Sequence, residues 1–134
     1  MRIDFHINFS GSCREALLFY RSVLGGEVDL LTYGESQSYI DVPKKWNEKI
    51  IHGSFKLNNL EIAGADILPD QYRAPQGFHL LLQLNSESEA KRIFGAFSDG
   101  GSITMPLQPT FWSPCYGIVV DKFGISWEIN YVPA

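Results

Sequence analysis

The sequence predicts an α+β protein built from two βαβββ modules, which form a curved, half-open, antiparallel-rich sheet with a concave cavity. Two amphipathic helical segments begin at Ser12 and Ser86, 74 residues apart. One strand-like segment precedes each helix and three follow it. We therefore treat residues 1–134 as a single domain, with module 1 at about 1–68, a hinge at about 69–77 and module 2 at about 78–134.

The first module begins with a strand at RIDFHINF, where apolar residues alternate. A helix should start at Ser12, because Ser12 and Glu15 have the spacing of a capping box. Its apolar positions recur at helical spacing at Cys13, Ala16, Leu17, Tyr20 and Leu24. Gly25 and Gly26 suit the turn that closes a helix. Three strands are predicted to follow, at EVDLLTY, IIHGSFKL and LEIAGADIL.

The second module repeats this order after a hinge at PDQYRAPQG. Its first strand is GFHLLLQL, and Ser86 with Glu89 forms a second capping box. The helix has apolar positions at Ala90, Ile93, Phe94 and Phe97 and ends at Gly100 and Gly101. Three strands are again predicted, at SITMPLQ, YGIVVD and ISWEINYV.

Composition excludes several classes of protein. The 134 residues are 45% hydrophobic and 19% charged, which is ordinary for a globular domain with its own core. Apolar runs are far shorter than the roughly 20 residues of a membrane helix, and the first residues do not resemble a signal peptide. Two cysteines are too few for a disulfide framework, and a net charge of -4 argues against nucleic-acid binding. We expect a cytoplasmic protein that acts neither on membranes nor on nucleic acid.

Strand alternation identifies candidate inner-face residues. One face of GFHLLLQL suits packing against the helix and carries Phe78, Leu80, Leu82 and Leu84. The other face carries His79, Leu81 and Gln83. A carboxylate is costly to bury unpaired in an apolar strand, yet Glu61 and Glu128 each interrupt the last strand of a module. We therefore expect His79 to face the cavity, with both carboxylates within a few ångströms of its ring.

Longer motifs resemble a known family. INFSGSCREALLFYRSVLGGEV, IIHGSFKL and MPLQPTFWSPCYGIVVDKFGISWEIN are similar to the PhnB-like branch of the glyoxalase/bleomycin-resistance/dioxygenase superfamily, also called the vicinal oxygen chelate superfamily. The likeness covers essentially the whole chain. It implies a small-molecule site in the cavity and, because paired modules within or between chains build each cavity, a homodimer.

The resemblance also implies a ligand set for a divalent metal. In metal-dependent members the first and last strands of each module supply the ligands, and here those positions are Phe5, Glu61, His79 and Glu128. Phenylalanine cannot bind an ion. The helix spacing assigns that place to Phe5, whereas the alternation of apolar residues in the first strand turns His6 inward and completes the set. PhnB-like sequences tend to have apolar residues at positions such as Ile7 and Phe9, so the resemblance favours Phe5 on the inner face.

Two functions follow from this reading. If a zinc, manganese, nickel or iron ion is bound, the protein is a metal-dependent lyase, isomerase, dioxygenase or transferase, with Glu61 or Glu128 as general base. The alternative is a metal-free protein that binds an aromatic or antibiotic-like molecule. Candidate substrate-binding residues are Phe5, His52, Gln83, Trp112 and Tyr116. A typical SAM methyltransferase is not expected, because the sequence has no Gly-rich strand-to-helix turn.

Overall fold

The chain forms two compact units, residues 1–74 and 75–134, in the computed structural model, which describes residues 1–36 and 42–134. Each unit contains one βαβββ module. The predicted α+β class and two-module plan are therefore confirmed. The boundary between the units falls inside the segment predicted to be the hinge.

Unit 1, residues 1–74, is a four-stranded sheet with one long helix. Its elements are β1 (Phe5–Phe9), α1 (Cys13–Leu24), β2 (Glu27–Thr32), the short helix α2 (Tyr33–Ser36), a 3-10 turn (Lys44–Trp46), β3 (Ile50–Leu57) and β4 (Leu60–Asp66). The strand order is β1-β4-β3-β2. β1 runs parallel to β4, and the other two pairs are antiparallel.

Unit 2, residues 75–134, repeats the topology. Its elements are β5 (Leu80–Leu84), α3 (Glu87–Ser98), β6 (Ser102–Gln108), β7 (Tyr116–Val120) and β8 (Ser126–Tyr131). The strand order is β5-β8-β7-β6, with β5 parallel to β8. The strand predicted from residue 77 begins only at Leu80, so His79 lies immediately before β5.

In unit 1 the core lies between α1 and one face of the sheet. The helix buries Cys13, Ala16, Leu17, Tyr20 and Val23. The sheet buries Ile7, Phe9, Phe55 and Ile62. Gly53 allows close approach of the two layers, because a Cβ at this position would lie 2.7 Å from Leu17 Cδ1.

The core of unit 2 has the same plan. α3 buries Ala90, Ile93, Phe94 and Phe97. The ring of Phe97 lies 4.7 Å from that of Trp127 in β8. Asp121 accepts a hydrogen bond from Trp127 Nε1 at 2.9 Å, which satisfies the buried indole. These contacts fix which side chains of β8 face α3.

The two helices start in different ways. At α3, the hydroxyl of Ser86 accepts a hydrogen bond from the backbone N–H of Glu89 at 3.3 Å, as a capping box predicts. At α1, Ser12 makes no such side-chain bond. The buried carboxylate of Asp66 accepts from the N–H groups of Gly11 and Cys13 instead, both at 2.9 Å. The cap predicted at Ser12 is therefore wrong, since a residue distant in sequence provides it.

Within residues 1–36 and 42–134, none of the helices has the length and apolar character needed to cross a membrane.

Candidate functional site

Each sheet has one face covered by its long helix, and the predicted polar site residues lie on the opposite face. In β1, Ile7 and Phe9 are buried toward α1, and Phe5 shares their side by alternation. His6 lies on the opposite face, where its Nε2 is 2.8 Å from Asn8 Oδ1. The expectation that Phe5 faces inward is therefore corrected in favour of His6.

Loop length explains the correction. Three residues, 10–12, join β1 to α1, whereas two residues, 85–86, join β5 to α3. The last residues of β1 and β5, Phe9 and Leu84, are consequently 75 residues apart, although the helices keep a spacing of 74. A shift of one residue moves a side chain to the other face of a strand. The helix spacing therefore assigned Phe5 to the wrong face.

In unit 1, Glu61 lies on the face opposite α1 and is held by two polar partners. Ser54 Oγ donates to Glu61 Oε1 at 2.5 Å. Arg2 Nη2 lies 3.1 Å from Glu61 Oε2 and also pairs with Asp4 at 2.8 Å. A depression of about 320 Å³ beside Glu61 is lined by Arg2 and Lys56 as well. The charge of Glu61 is thus already compensated by a cation.

His52 is exposed in β3, two residues before Ser54 and on the same face. It lies opposite Leu31 of β2 in the register. This arrangement groups His6, His52 and Glu61 on one face of the unit 1 sheet. Phe5 does not belong to that group.

In unit 2, the face opposite α3 carries four of the predicted site residues. His79 Nδ1 lies 2.6 Å from Ser126 Oγ. Asn130 Nδ2 donates to Gln83 Oε1 at 2.7 Å. The hydroxyl of Tyr116 donates to Glu128 Oε1. His79 is thus hydrogen-bonded to Ser126, and Glu128 is hydrogen-bonded to Tyr116.

The two carboxylates do not occupy matching places in their sheets. Asp66 closes the parallel pairing of β4 with β1, and Tyr131 closes that of β8 with β5. Glu61 precedes Asp66 by five residues, whereas Glu128 precedes Tyr131 by three. Both side chains face away from the helices, but Ser126 takes the position that Glu61 has in unit 1. Aligning Glu61-Ile62 with Glu128-Ile129 by sequence does not reveal this shift.

Each of the predicted metal ligands is bonded to a side chain of the protein itself. His6, Glu61, His79 and Glu128 each form a hydrogen bond with a protein side chain. In the part of the chain that the structure describes, no three His, Cys, Asp or Glu side chains are grouped as a metal ion would require. Catalytic zinc sites usually use three protein ligands. No chemical step through a metal follows from this arrangement.

An aromatic group lies next to Glu128. Trp112, in the loop between β6 and β7, packs edge-on against Tyr116 at 5.3 Å and is 55% exposed. Phe111 packs against Trp112 at 4.8 Å and is 96% exposed. We call Phe111, Trp112, Tyr116 and Glu128 the aromatic–carboxylate group. Its exposed rings offer a stacking surface for a small molecule.

The hydrogen bond between Tyr116 and Glu128 determines the electrostatics of this group. The bond to Glu128 raises the pKa of Tyr116 to about 12, and burial of the phenol adds to the shift. Among residues 1–36 and 42–134, no cationic side chain forms an ion pair with Glu128. Within this part of the chain, Glu128 therefore lacks the cationic partner that Glu61 has in Arg2.

Sequence reasoning missed three residues of unit 2 that form hydrogen bonds near these side chains. Ser126 and Asn130 alternate with Glu128 along β8, so the strand pattern places all three on one face. Ser113, in the same loop as Trp112, is buried, and its hydroxyl donates to the carbonyls of Cys115 and Tyr131. Alternation could have identified the first two, but a loop residue such as Ser113 carries no periodic signal.

Comparisons with known proteins agree with this architecture. Residues 2–130 match the family described as 3-demethylubiquinone-9 3-methyltransferase. Protein YjdN of Escherichia coli K12 is 30% identical, over 98% of this chain and 96% of its own. The crystal structure of PA1353 from Pseudomonas aeruginosa has 34% identity and a TM-score of 0.91, covering 100% of this chain and 99% of its own.

A PhnB protein from Bacillus cereus is 24% identical with a TM-score of 0.83, covering 98% of this chain and 100% of its own. At this identity the likeness concerns the fold alone.

Proposed function

Because the chain belongs to the 3-demethylubiquinone-9 3-methyltransferase family, within the PhnB-like branch of the vicinal oxygen chelate superfamily, we propose that it binds a small molecule at the aromatic–carboxylate group. The ligand class that fits is a planar aromatic compound with a basic nitrogen. The observation that carries the proposal is the carboxylate of Glu128, which has no cationic partner in the described part of the chain and is linked through Tyr116 to the exposed indole of Trp112.

The two parts of the group suit the two parts of such a ligand. Trp112 supplies a large aromatic surface at small cost in conformational entropy, and indole is the side chain most favourable for contact with a cation. Glu128 supplies the opposite charge and an acceptor for an N–H group. A neutral, non-aromatic molecule would use neither feature.

Tyr116 positions the carboxylate. Its hydroxyl donates to Glu128 Oε1. Among the described residues, no side chain is bonded to the second carboxylate oxygen, which is therefore available to a ligand. Since the pKa of Tyr116 is about 12, the phenol stays protonated near neutral pH and remains a donor. The carboxylate is thus oriented before a ligand arrives, which lowers the cost of binding.

Binding, rather than methyl transfer, is proposed despite the name of the family. A methyl-donor site of the usual kind needs a Gly-rich turn between a strand and a helix. The turns before α1 and α3, residues 10–12 and 85–86, contain one glycine, Gly11. That turn is also occupied by the protein itself, because Lys49 Nζ donates to Gly11 O at 2.9 Å.

The proposal is tested by titrating the protein with proflavine, a planar aromatic cation, in buffer containing EDTA. We expect saturable binding that Glu128→Gln weakens about tenfold, equivalent to about 1.4 kcal/mol. Trp112→Ala should weaken it to a similar degree. Glu87→Gln, which removes an exposed carboxylate of α3, is the matched control and should bind like the wild type. Equal affinity in wild type and Glu128→Gln would contradict the proposal.

Metal-assisted chemistry, implied by the family resemblance, is the competing proposal. It is supported by one His and one Glu on the face opposite the helix in each unit: His6 and Glu61, and His79 and Glu128. Calorimetric titration of EDTA-treated protein with Zn²⁺ or Mn²⁺ tests it. A dissociation constant for the metal ion below about 1 mM would favour this function over metal-free binding, provided that His79→Ala no longer binds the ion.

A further inference from the structure

A second candidate site lies in unit 2, at the start of β5. A cavity of about 360 Å³ is lined by Gln76, Phe78, His79, Thr104 and Ser126, among others. This volume is within the usual range for small-molecule sites, about 300–1,000 Å³. Neither Trp112 nor Glu128 lines it, so the cavity is separate from the aromatic–carboxylate group.

The cavity contains a serine and a histidine in direct contact. Ser126 Oγ and His79 Nδ1 are 2.6 Å apart, which is within the range for a nucleophile and its general base. His79 is exposed and Ser126 is half-buried, so both can be reached from the cavity. A neutral imidazole with its proton on Nε2 accepts the hydroxyl proton at Nδ1.

The sheet holds this pair in place. Leu80 follows His79 and Trp127 follows Ser126, and these two residues are opposite each other in the parallel pairing of β5 and β8. Both are buried, Leu80 at 5% and Trp127 at 2% exposure. His79 itself precedes β5, and Ser126 is the first residue of β8, so each partner is directly joined to a residue that the core holds in place.

We propose that Ser126 and His79 act as nucleophile and general base toward small acyl esters bound in this cavity. Ser126 Oγ forms a bond to the acyl carbon while its proton moves to His79 Nδ1. The bond from the acyl carbon to the alcohol oxygen then breaks, and the alcohol leaves with that proton. Water then attacks the acyl carbon and loses a proton to His79. The bond from the acyl carbon to Ser126 Oγ breaks, the proton returns from His79 to Oγ, and the carboxylic acid leaves.

The remaining lining residues suit the same reaction. Gln76 and Thr104 carry N–H and O–H donors that can bind the negatively charged oxygen formed during attack. Phe78, which is 41% exposed, provides an apolar wall for a short acyl chain. His79 is the one lining residue with an ionisable side chain, so the cavity favours esters without a net charge.

The test uses p-nitrophenyl acetate and the full chain. We expect the wild type to release p-nitrophenolate and to become acetylated on the peptide containing Ser126. Ser126→Ala should abolish that adduct and lower the rate about a hundredfold, at the lower end of what general-base catalysis contributes. His79→Gln should lower the rate to a similar extent. Ser98→Ala removes a serine of α3 that bonds the carbonyl of Gly95 and should react like the wild type.

The same experiment can overturn the proposal. A surface imidazole hydrolyses this ester without help from serine, so a full rate in Ser126→Ala with a loss in His79→Gln would show simple imidazole attack. Acetylation of lysine alone would also refute it. Both side chains are partly or fully exposed, and circular dichroism should show that the variants fold. If a variant does not fold, the acetylated residue in the wild-type protein tests the proposal instead, because only acetylation of Ser126 supports it.

Discussion

Tyr116 and Glu128 are joined diagonally across β7 and β8 by a hydrogen bond from the phenol to the carboxylate. In the register, Tyr116 lies opposite Asn130 and Glu128 lies opposite Ile118, so the bond spans two neighbouring pairs on one face of the sheet. The bond connects the exposed ring of Trp112 to a carboxylate without a cationic partner among the described residues. It determines both the orientation of Glu128 and the ionisation of Tyr116.

The first prediction concerns the ionisation of Tyr116. Its pKa of about 12 should fall toward the ordinary value of 10.0 in Glu128→Gln, because a neutral amide no longer opposes formation of tyrosinate. The near-ultraviolet absorbance of tyrosinate during an alkaline titration measures this. Tyr116→Phe identifies the transition that belongs to this residue. An unchanged titration in Glu128→Gln would show that the bond does not control it.

The same bond affects stability at alkaline pH. The folded pKa is raised above the unfolded value, so the contribution is complete below about pH 10 and is lost as the pH rises toward about 12. Wild-type stability should therefore decline over that interval more steeply than the stability of Tyr116→Phe. Urea unfolding at several pH values compares the two proteins, and parallel curves would refute the linkage.

The second prediction concerns Asp66, whose buried carboxylate joins α1 to the sheet. It accepts backbone hydrogen bonds from Gly11, Cys13 and, at 2.8 Å, Ile50. Asp66→Ala leaves these donors unsatisfied and should reduce the free energy of unfolding by about 3 kcal/mol. Asp66→Asn keeps one acceptor oxygen and should lose less.

Urea unfolding measures the effect of these substitutions. Asp70→Ala changes an exposed aspartate of the same unit and should stay within about 0.5 kcal/mol of the wild type. A loss in Asp66→Ala as small as that of the control would mean that the helix start does not depend on this carboxylate.

Local sequence signals were sufficient for most of the fold. The apolar residues of RIDFHINF alternate, and β1 forms there. The helical spacing of Ala90, Ile93, Phe94 and Phe97 predicts the buried side of α3, which is confirmed. Ser86 caps its helix as the spacing to Glu89 predicts. Each of these features depends on residues close in sequence, so a single sequence contains the information.

Long-range relationships account for what was missed. The cap of α1 comes from Asp66, which is 53 residues from Cys13. The face of Phe5 depends on a loop one residue longer than its counterpart, and the shift of Glu61 relative to Glu128 depends on strand register. Similar short motifs can therefore lie at different positions along the corresponding strands of two related sheets. Such differences become visible only when the strand pairs are known.

The third prediction concerns the two cysteines. Burial, together with the nearby charge of Asp66, raises the pKa of Cys13 to about 12, and burial raises the pKa of Cys115. Both thiols should therefore react slowly with Ellman's reagent in the native protein and rapidly after denaturation. Ser22→Cys places a thiol on the exposed side of α1 and should react at once. Rapid reaction of either native cysteine would contradict this prediction.

The last prediction is a homodimer. The strands at the ends of the two sheets, β1, β2, β5 and β6, each carry a large apolar side chain that remains 41–52% exposed: Phe5, Leu31, Leu81 and Ile103. Exposed edge strands with apolar residues tend to pair with other chains, and native proteins usually cover them. We expect light scattering at micromolar concentration to give twice the chain mass of 15.1 kDa.

Replacing these four residues one at a time by lysine identifies the interface. The dimer should dissociate when the replaced residue lies on the edge strand that forms the interface, and it should remain intact in the other variants. A mass of one chain at every concentration would refute the prediction, and a dimer that survives all four substitutions would place the interface away from these edges.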